Sequence, residues 1–145
     1  MIALDPDHPL GYLAQALVHL YRYRFEEKQP VSEQQFKKYT AQAIKLSKQN
    51  LPKPEKRAEA LFYRGLANLF WGFYHSDHDN WVKALWYAKL GLDDLKEVVA
   101  SDSSYYDAYL GLGMYHYYAD FMSNFFKKLW SAENPCLVMI KCLKN

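Results

Sequence analysis

The chain repeats itself. Laying residue 5 on residue 102, an offset of 97, pairs Ala3 with Ala100, Asp5 with Asp102, Tyr12 with Tyr109, Leu13 with Leu110, His19 with His116 and Tyr21 with Tyr118. The small residue Ala16 falls on Gly113, and Gly65 lies between them, 49 residues after the first and 48 before the second. A unit of about 48 residues is the length of a helix pair. One such pair cannot bury its apolar face alone, so successive pairs must stack on one another.

The periodicity within each unit is helical. Leu10, Leu13, Ala14, Leu17, Leu20 and Tyr21 fall at three- and four-residue steps, which predicts a helix over 9–25 that is apolar around much of its circumference. Ser32 and Gln35 have capping-box spacing and predict a second helix to about Gln49, with Phe36, Tyr39, Ala43 and Leu46 inward. A third helix is expected over 55–73, opened by Pro54. Tyr74–Asn80 then reads as a polar loop. In the fourth helix, over 81–100, Ala84, Ala88 and Gly91 form a ridge of small residues along which a neighbour can approach closely. The fifth helix holds Gly111 and Gly113 among aromatic residues, with Ser104 and Asp107 as its expected cap. No stretch has the alternation of a strand or the punctuation of a hairpin.

One motif carries a family resemblance. Tyr109-x-x-Leu112-Gly113-x-x-His116 resembles the first-helix signature of tetratricopeptide repeats, W-x-x-L-G-x-x-Y, and Asp5-Pro6 matches the pair that commonly opens such a repeat. Leu61-x-x-Arg64-Gly65-x-x-Asn68 and Tyr12-x-x-Gln15-Ala16-x-x-His19 are degenerate copies, and Ala84-x3-Ala88 keeps the first alanine of the second-helix pattern. The repeat of that family is about 34 residues, so these units are extended. The resemblance covers residues 3–121. It implies an all-α fold of antiparallel helix pairs stacked as a right-handed solenoid with about five main helices. Repeats are expected at about 5–52, 53–101 and, in part, 102–130, making a repeat domain over 1–130. An irregular tail is expected over 131–145. The opening Ile2-Ala3-Leu4-Asp5-Pro6 reads as the end of one repeat and the start of the next, which is the expectation for a piece of a longer solenoid.

Composition narrows the function classes. Half of the residues are hydrophobic and 17% are aromatic, too rich in apolar side chains for a disordered chain. A net charge of +2 with scattered basic residues gives no electrostatic footprint for nucleic acid. No run of about 18 apolar residues is present to span a bilayer. The N-terminus has no basic region followed by an apolar one, so no signal peptide is expected. The compartment stays open, cytoplasmic by default and periplasmic if the chain is a fragment. Cys136 and Cys142, the two cysteines, have no companions at metal spacing. No cofactor motif is found, and Gly111-x-Gly113 lies mid-helix rather than in a phosphate loop.

In tetratricopeptide solenoids the first helices line a groove that binds a peptide or a helix. The resemblance implies groove positions at Leu13, Leu17, Leu20 and Tyr21, at Phe62, Leu66, Leu69 and Phe70, and at Leu110, Met114, Tyr117 and Tyr118. The lysine, asparagine and arginine of the family's carboxylate clamp are missing there. The expected activity is therefore non-enzymatic binding of a protein or peptide partner through an apolar, aromatic surface, with self-association through exposed repeat ends as a further possibility. Two other readings stand beside it. One is a small apolar ligand or lipid held in the aromatic groove. The other is a metal-dependent hydrolase using His75 and His78, against which stands the simpler reading of His75–Asp79 as a polar capping loop. His19 and His116 share one slot of the repeat, which argues for packing between helices.

Overall fold

The computed structural model describes residues 2, 5–26 and 29–116, and every regular element among them is helical. The elements are α1 (Pro9–Phe25), α2 (Pro30–Asn50), a short 3-10 turn (Pro54–Lys56), α3 (Arg57–Ser76) and α4 (Trp81–Ser101). Residues 106–116 are also helical and are called α5. The chain divides into two compact units, Met1–Leu112 and Gly113–Asn145. The second lies largely outside the described residues, as do Tyr117, Tyr118 and the expected boundary near residue 130.

The helix ends explain where the periodicity misled. α1 starts at Pro9, and the preceding His8 caps it by accepting a hydrogen bond from the Leu10 amide at 3.2 Å. α2 starts at Pro30, two residues before Ser32, because proline's fixed φ suits the first helical turn. Ser32 is thus buried inside the helix, and no side chain caps α2. α3 runs on to Ser76, three residues past its expected end. Asn80 caps α4 through the Lys83 amide. Before α5, the accepting oxygen belongs to Asp102, which takes bonds from the Ser104 amide and hydroxyl, rather than to Ser104.

α3 is central. One core cluster gathers Leu13 of α1, Ala43 of α2, Leu61, Phe62, Tyr63, Ala67 and Leu69 of α3, Leu95 and Val98 of α4, and Ala108 of α5. A second gathers Ala16, Leu20 and Tyr23 of α1, Phe36 of α2 and Tyr74 of α3. The aromatic contacts give the helix directions. Phe36 meets Tyr74 and Trp71, so α2 and α3 run antiparallel, while His8 meets Tyr63 and Tyr23 meets Tyr74, so α1 and α3 run parallel. Thr40 and Ser47 are fully buried on α2, and each hydroxyl donates to the carbonyl four residues back, which removes the cost of burial.

α3 and α4 approach each other through backbone. A Cβ placed on Gly91 would stand 2.6 Å from the Gly65 carbonyl oxygen, and one on Gly65 would stand 3.0 Å from that of Gly91. A Cβ on Gly72 would stand 3.2 Å from the Ala84 carbonyl oxygen. The ridge of Ala84, Ala88 and Gly91 is therefore the surface on which α3 lies. Beside the crossing, Arg64 donates to both oxygens of Asp94, at 2.8 and 2.6 Å. This planar two-point pairing suits a carboxylate that is largely buried.

Among the described residues, α5 makes its close approach at Gly111. Gly111 is the tight position, 2.7 Å from Leu95 Cδ1, whereas a Cβ on Gly113 would meet nothing within 4 Å among the described residues. The difference follows from direction. Gly111 faces back to α4, while Gly113 occupies the slot in which Gly65 faces forward to its own following helix. The residues after α5 fall outside the described range.

Candidate interaction surface

The expected groove positions divide by burial. Leu13 at 5% exposure and Phe62 at 9% belong to the core, as do Leu20 and Leu69, and none of these four offers a surface to a partner. Leu66 and Phe70 are half-buried against the core. Leu17, Tyr21, Leu110 and Met114 are exposed. Tyr118 is outside the described residues. The physical reason is the wide apolar circumference of α1 and α3: periodicity marks both the buried and the bare side chains as apolar and cannot sort them.

The groove assignment named Leu17 and Tyr21 but missed the rest of a continuous stripe on α1. Leu10, Leu17, Val18, Tyr21 and Phe25 are all exposed, with Ala14 half-buried among them. At about 100° of rotation per residue, these six positions fall within a band about 100° wide. Tyr21 and Phe25 are 62% and 68% exposed, and their rings lie against each other at 4.6 Å. Shorter stripes of the same kind occur on α4, with Val82, Leu85, Trp86 and Leu90, and on α5, with Tyr106, Tyr109 and Leu110.

The 49-residue offset shows what the α1 stripe corresponds to. It carries Ala14, Val18, Tyr21 and Phe25 onto Tyr63, Ala67, Phe70 and Tyr74. On α3 these positions face α1 and α2: Tyr63 meets His8, and Tyr74 meets Tyr23 and Phe36. Phe25 and Tyr74 are thus both aromatic in one slot, the first bare and the second 6% exposed. A signal for this stripe existed in the sequence, in the aromatic pairs 21/70 and 25/74, but it becomes informative only once the burial of one copy is known.

The histidine segment at the α3–α4 turn is structural fabric. His78 Nδ1–H donates to the Tyr74 carbonyl at 2.7 Å, and Nε2 accepts from the Tyr23 hydroxyl at 2.9 Å. Tyr74 in turn donates to Glu33 at 2.6 Å, and Lys37 donates to the same oxygen. These bonds hold the Glu33 carboxyl below its usual range, while burial and then the bond to Glu33 raise the Tyr74 phenol. His75 stacks on Trp71 and Tyr87 instead of joining His78, and its burial, with Lys83 nearby, lowers its pKa. Arg24 pairs with Asp77 at 3.0 Å. Together these contacts fasten the turn onto α1 and α2. Among the described residues no cluster of three or more His, Cys, Asp or Glu is placed to hold a metal ion.

His19 packs between helices, stacked on Tyr39 at 5.6 Å, with Nδ1 buried and without a hydrogen bond. Burial and then Arg22 lower its pKa. His116 is exposed on α5. A cleft of about 300 Å³ opens where α1 begins, lined by Asp5, Asp7, His8, Lys53, Glu59 and Tyr63 among others. Its lining is mainly polar, unlike the aromatic cavity that an apolar ligand needs. His8 Nε2 donates there to Glu59 at 3.0 Å. Tyr63, buried beside Glu59, is pushed up to about 12. Among the described residues no helix is long and apolar enough to cross a membrane. Comparison with protein-family models, curated proteins and solved structures finds no match to the chain.

Proposed function

We propose that this chain is a non-enzymatic protein-interaction module built from tetratricopeptide-like helix pairs stacked as a right-handed solenoid. The parallel course of α1 and α3, the antiparallel packing of α2 on α3 and the close approach at Gly65 and Gly91 all support the repeat architecture. One observation carries the function: among the described residues, the face that α3 buries against the preceding helix pair is left bare on α1, with Tyr21 and Phe25 exposed. A contiguous apolar stripe of this kind marks a contact surface. Its ligand is a helix or an apolar peptide of a protein partner, since ridges of side chains on one helix seat in the grooves of another.

The test is capture of partners by the immobilised full chain, compared with Tyr21→Glu and Lys45→Glu. Tyr21→Glu should release partners that Lys45→Glu retains, with unchanged helical content in both. Equal capture by the two variants sinks the proposal.

A further inference from the structure

We infer that the outward face of α2 is a second docking surface, one that takes an acidic amphipathic helix of a protein partner. The inference goes beyond the α1 stripe and does not depend on it. The basic residues are scattered along the sequence, but folding gathers several of them. From the start of α2 to the start of α3, residues 30–57 hold seven basic and two acidic side chains, a net charge of +5 in a chain whose total is +2. On α2 itself, Val31, Gln34, Lys38, Ala41, Lys45 and Lys48 are all exposed. They recur at alternating steps of three and four residues, the spacing of a seam along which two helices pack. At about 100° per residue they fall in a band about 100° wide, on the side opposite the buried Phe36, Ala43 and Leu46.

Charge sets the sign of the partner. The band carries no acidic residue, and the one carboxylate of α2, Glu33, is already held by Lys37 at 2.6 Å and by the Tyr74 hydroxyl at 2.6 Å. Lys38 lies over the ring of its neighbour Tyr39 at 5.8 Å. Lys45 and Lys48 make no ion pair among the described residues. They stand three residues apart on one helix face, where like charges repel until an opposite charge is brought to them. Beside them the surface dips into an open depression of about 450 Å³ lined by Ala41, Ile44, Lys45, Lys48 and Gln49. Ile44 is half-buried there and packs against the core from its other side. An apolar floor between ammonium groups fits an apolar side chain flanked by carboxylates, which is what an acidic amphipathic helix presents. Nucleic acid fits less well. The band has no arginine, whose planar fork suits phosphate, and an apolar floor adds nothing to the binding of a sugar–phosphate chain.

The experiment is fluorescence anisotropy of the purified full chain against labelled probes. One is a helical peptide of about three heptads with Glu and Leu along one face, and a second is the same peptide with Lys in place of Glu. An oligodeoxythymidylate of similar length and vesicles containing phosphatidylglycerol complete the set. The Glu peptide should bind in the micromolar range at about 50 mM salt and weaken at least about fivefold at about 300 mM, while the Lys peptide should not bind. Lys45→Glu combined with Lys48→Glu should weaken the Glu peptide at least about tenfold and bring in the Lys peptide, a gain that a misfolded chain would not show. Lys96→Glu, at an exposed position of α4, should change neither. Failure of the Glu peptide to bind overturns the inference, as does binding that the charge reversal leaves intact, or tighter binding of the oligonucleotide or the vesicles. The two surfaces lie on different helices, and their partners are separable. Those of the α1 stripe leave with Tyr21→Glu, and those of α2 leave with the reversal at Lys45 and Lys48, so either reading can fail while the other stands.

Discussion

Replacing Gly91 with alanine tests the close approach of α3 and α4 directly. The new Cβ would stand 2.6 Å from the Gly65 carbonyl oxygen and 2.8 Å from Leu69 Cγ. Leu69 can turn aside, but the oxygen is backbone in the middle of a helix and moves only if α3 moves. Restoring an ordinary contact needs a separation several tenths of an ångström larger, at the most tightly packed point of the pair. Overpacking of this kind costs about 1–3 kcal/mol. Against it stands the intrinsic gain of alanine over glycine in a helix, about 1 kcal/mol. The net expectation is a loss of up to about 2 kcal/mol, read as a fall in melting temperature of up to about 8 °C. Gly72→Ala is the internal control. Its Cβ would meet the Ala84 carbonyl oxygen at 3.2 Å, a contact relieved by a small shift, so its helix gain should nearly cancel its cost. Thermal and urea denaturation followed by circular dichroism at 222 nm measures both. If Gly91→Ala proves as stable as Gly72→Ala, backbone contact is not what sets the spacing of α3 and α4.

Arg64→Met should cost about 2–3 kcal/mol in urea denaturation, because it leaves the largely buried Asp94 carboxylate without its two charged donors. His78→Ala should cost about 1–2 kcal/mol by orphaning the buried Tyr23 hydroxyl, while equilibrium dialysis with zinc gives the same weak binding before and after. Stability should fall in two acid stages. His19 and His75 have lowered folded-state pKa values, so the stability that they contribute is present above the ordinary histidine range and is lost as pH falls through it. Glu33, also lowered, loses its contribution further down, and Glu33→Gln should flatten only that second stage of melting temperature against pH. Tyr63 works in the opposite sense. Its folded pKa of about 12 exceeds the unfolded value, so its contribution is intact at neutral pH and is lost as pH rises from 10 toward 12, a loss that Tyr63→Phe should remove.

Much of the helix layout was legible because it rests on local chemistry. Pro9 and the polar break after Phe25 bound α1 where the periodicity put it, and the small residues Ala84, Ala88 and Gly91 announced the approach of a neighbour before any neighbour was known. The errors came from residues whose role is set at a distance. Tyr74, His75 and Ser76 look like a polar loop, yet Tyr74 is held inside the helix by Phe36 and Glu33 of α2, about 40 residues earlier in the chain, and by His78 one turn on. Gly111 and Gly113 are alike in sequence, and the tight approach at Gly111 is set by Leu95, a residue of another helix. The surface was least legible. Leu13 and Leu17 are the same residue one turn apart on one helix, and nothing local tells the covered one from the bare one.

The two points at which α3 touches α4 are spaced alike on both helices: seven residues from Gly65 to Gly72, and seven from Ala84 to Gly91. Seven residues are nearly two whole turns, so the small positions return to one line. Inserting or deleting one residue between them in either helix would rotate the second contact by about 100° and drive a full side chain into backbone. A change of seven would keep the line. The hairpin can therefore be lengthened or shortened along this segment only by steps, matched in both helices, that bring the small positions back to one line, such as about seven or eleven residues, while its loops remain free to vary.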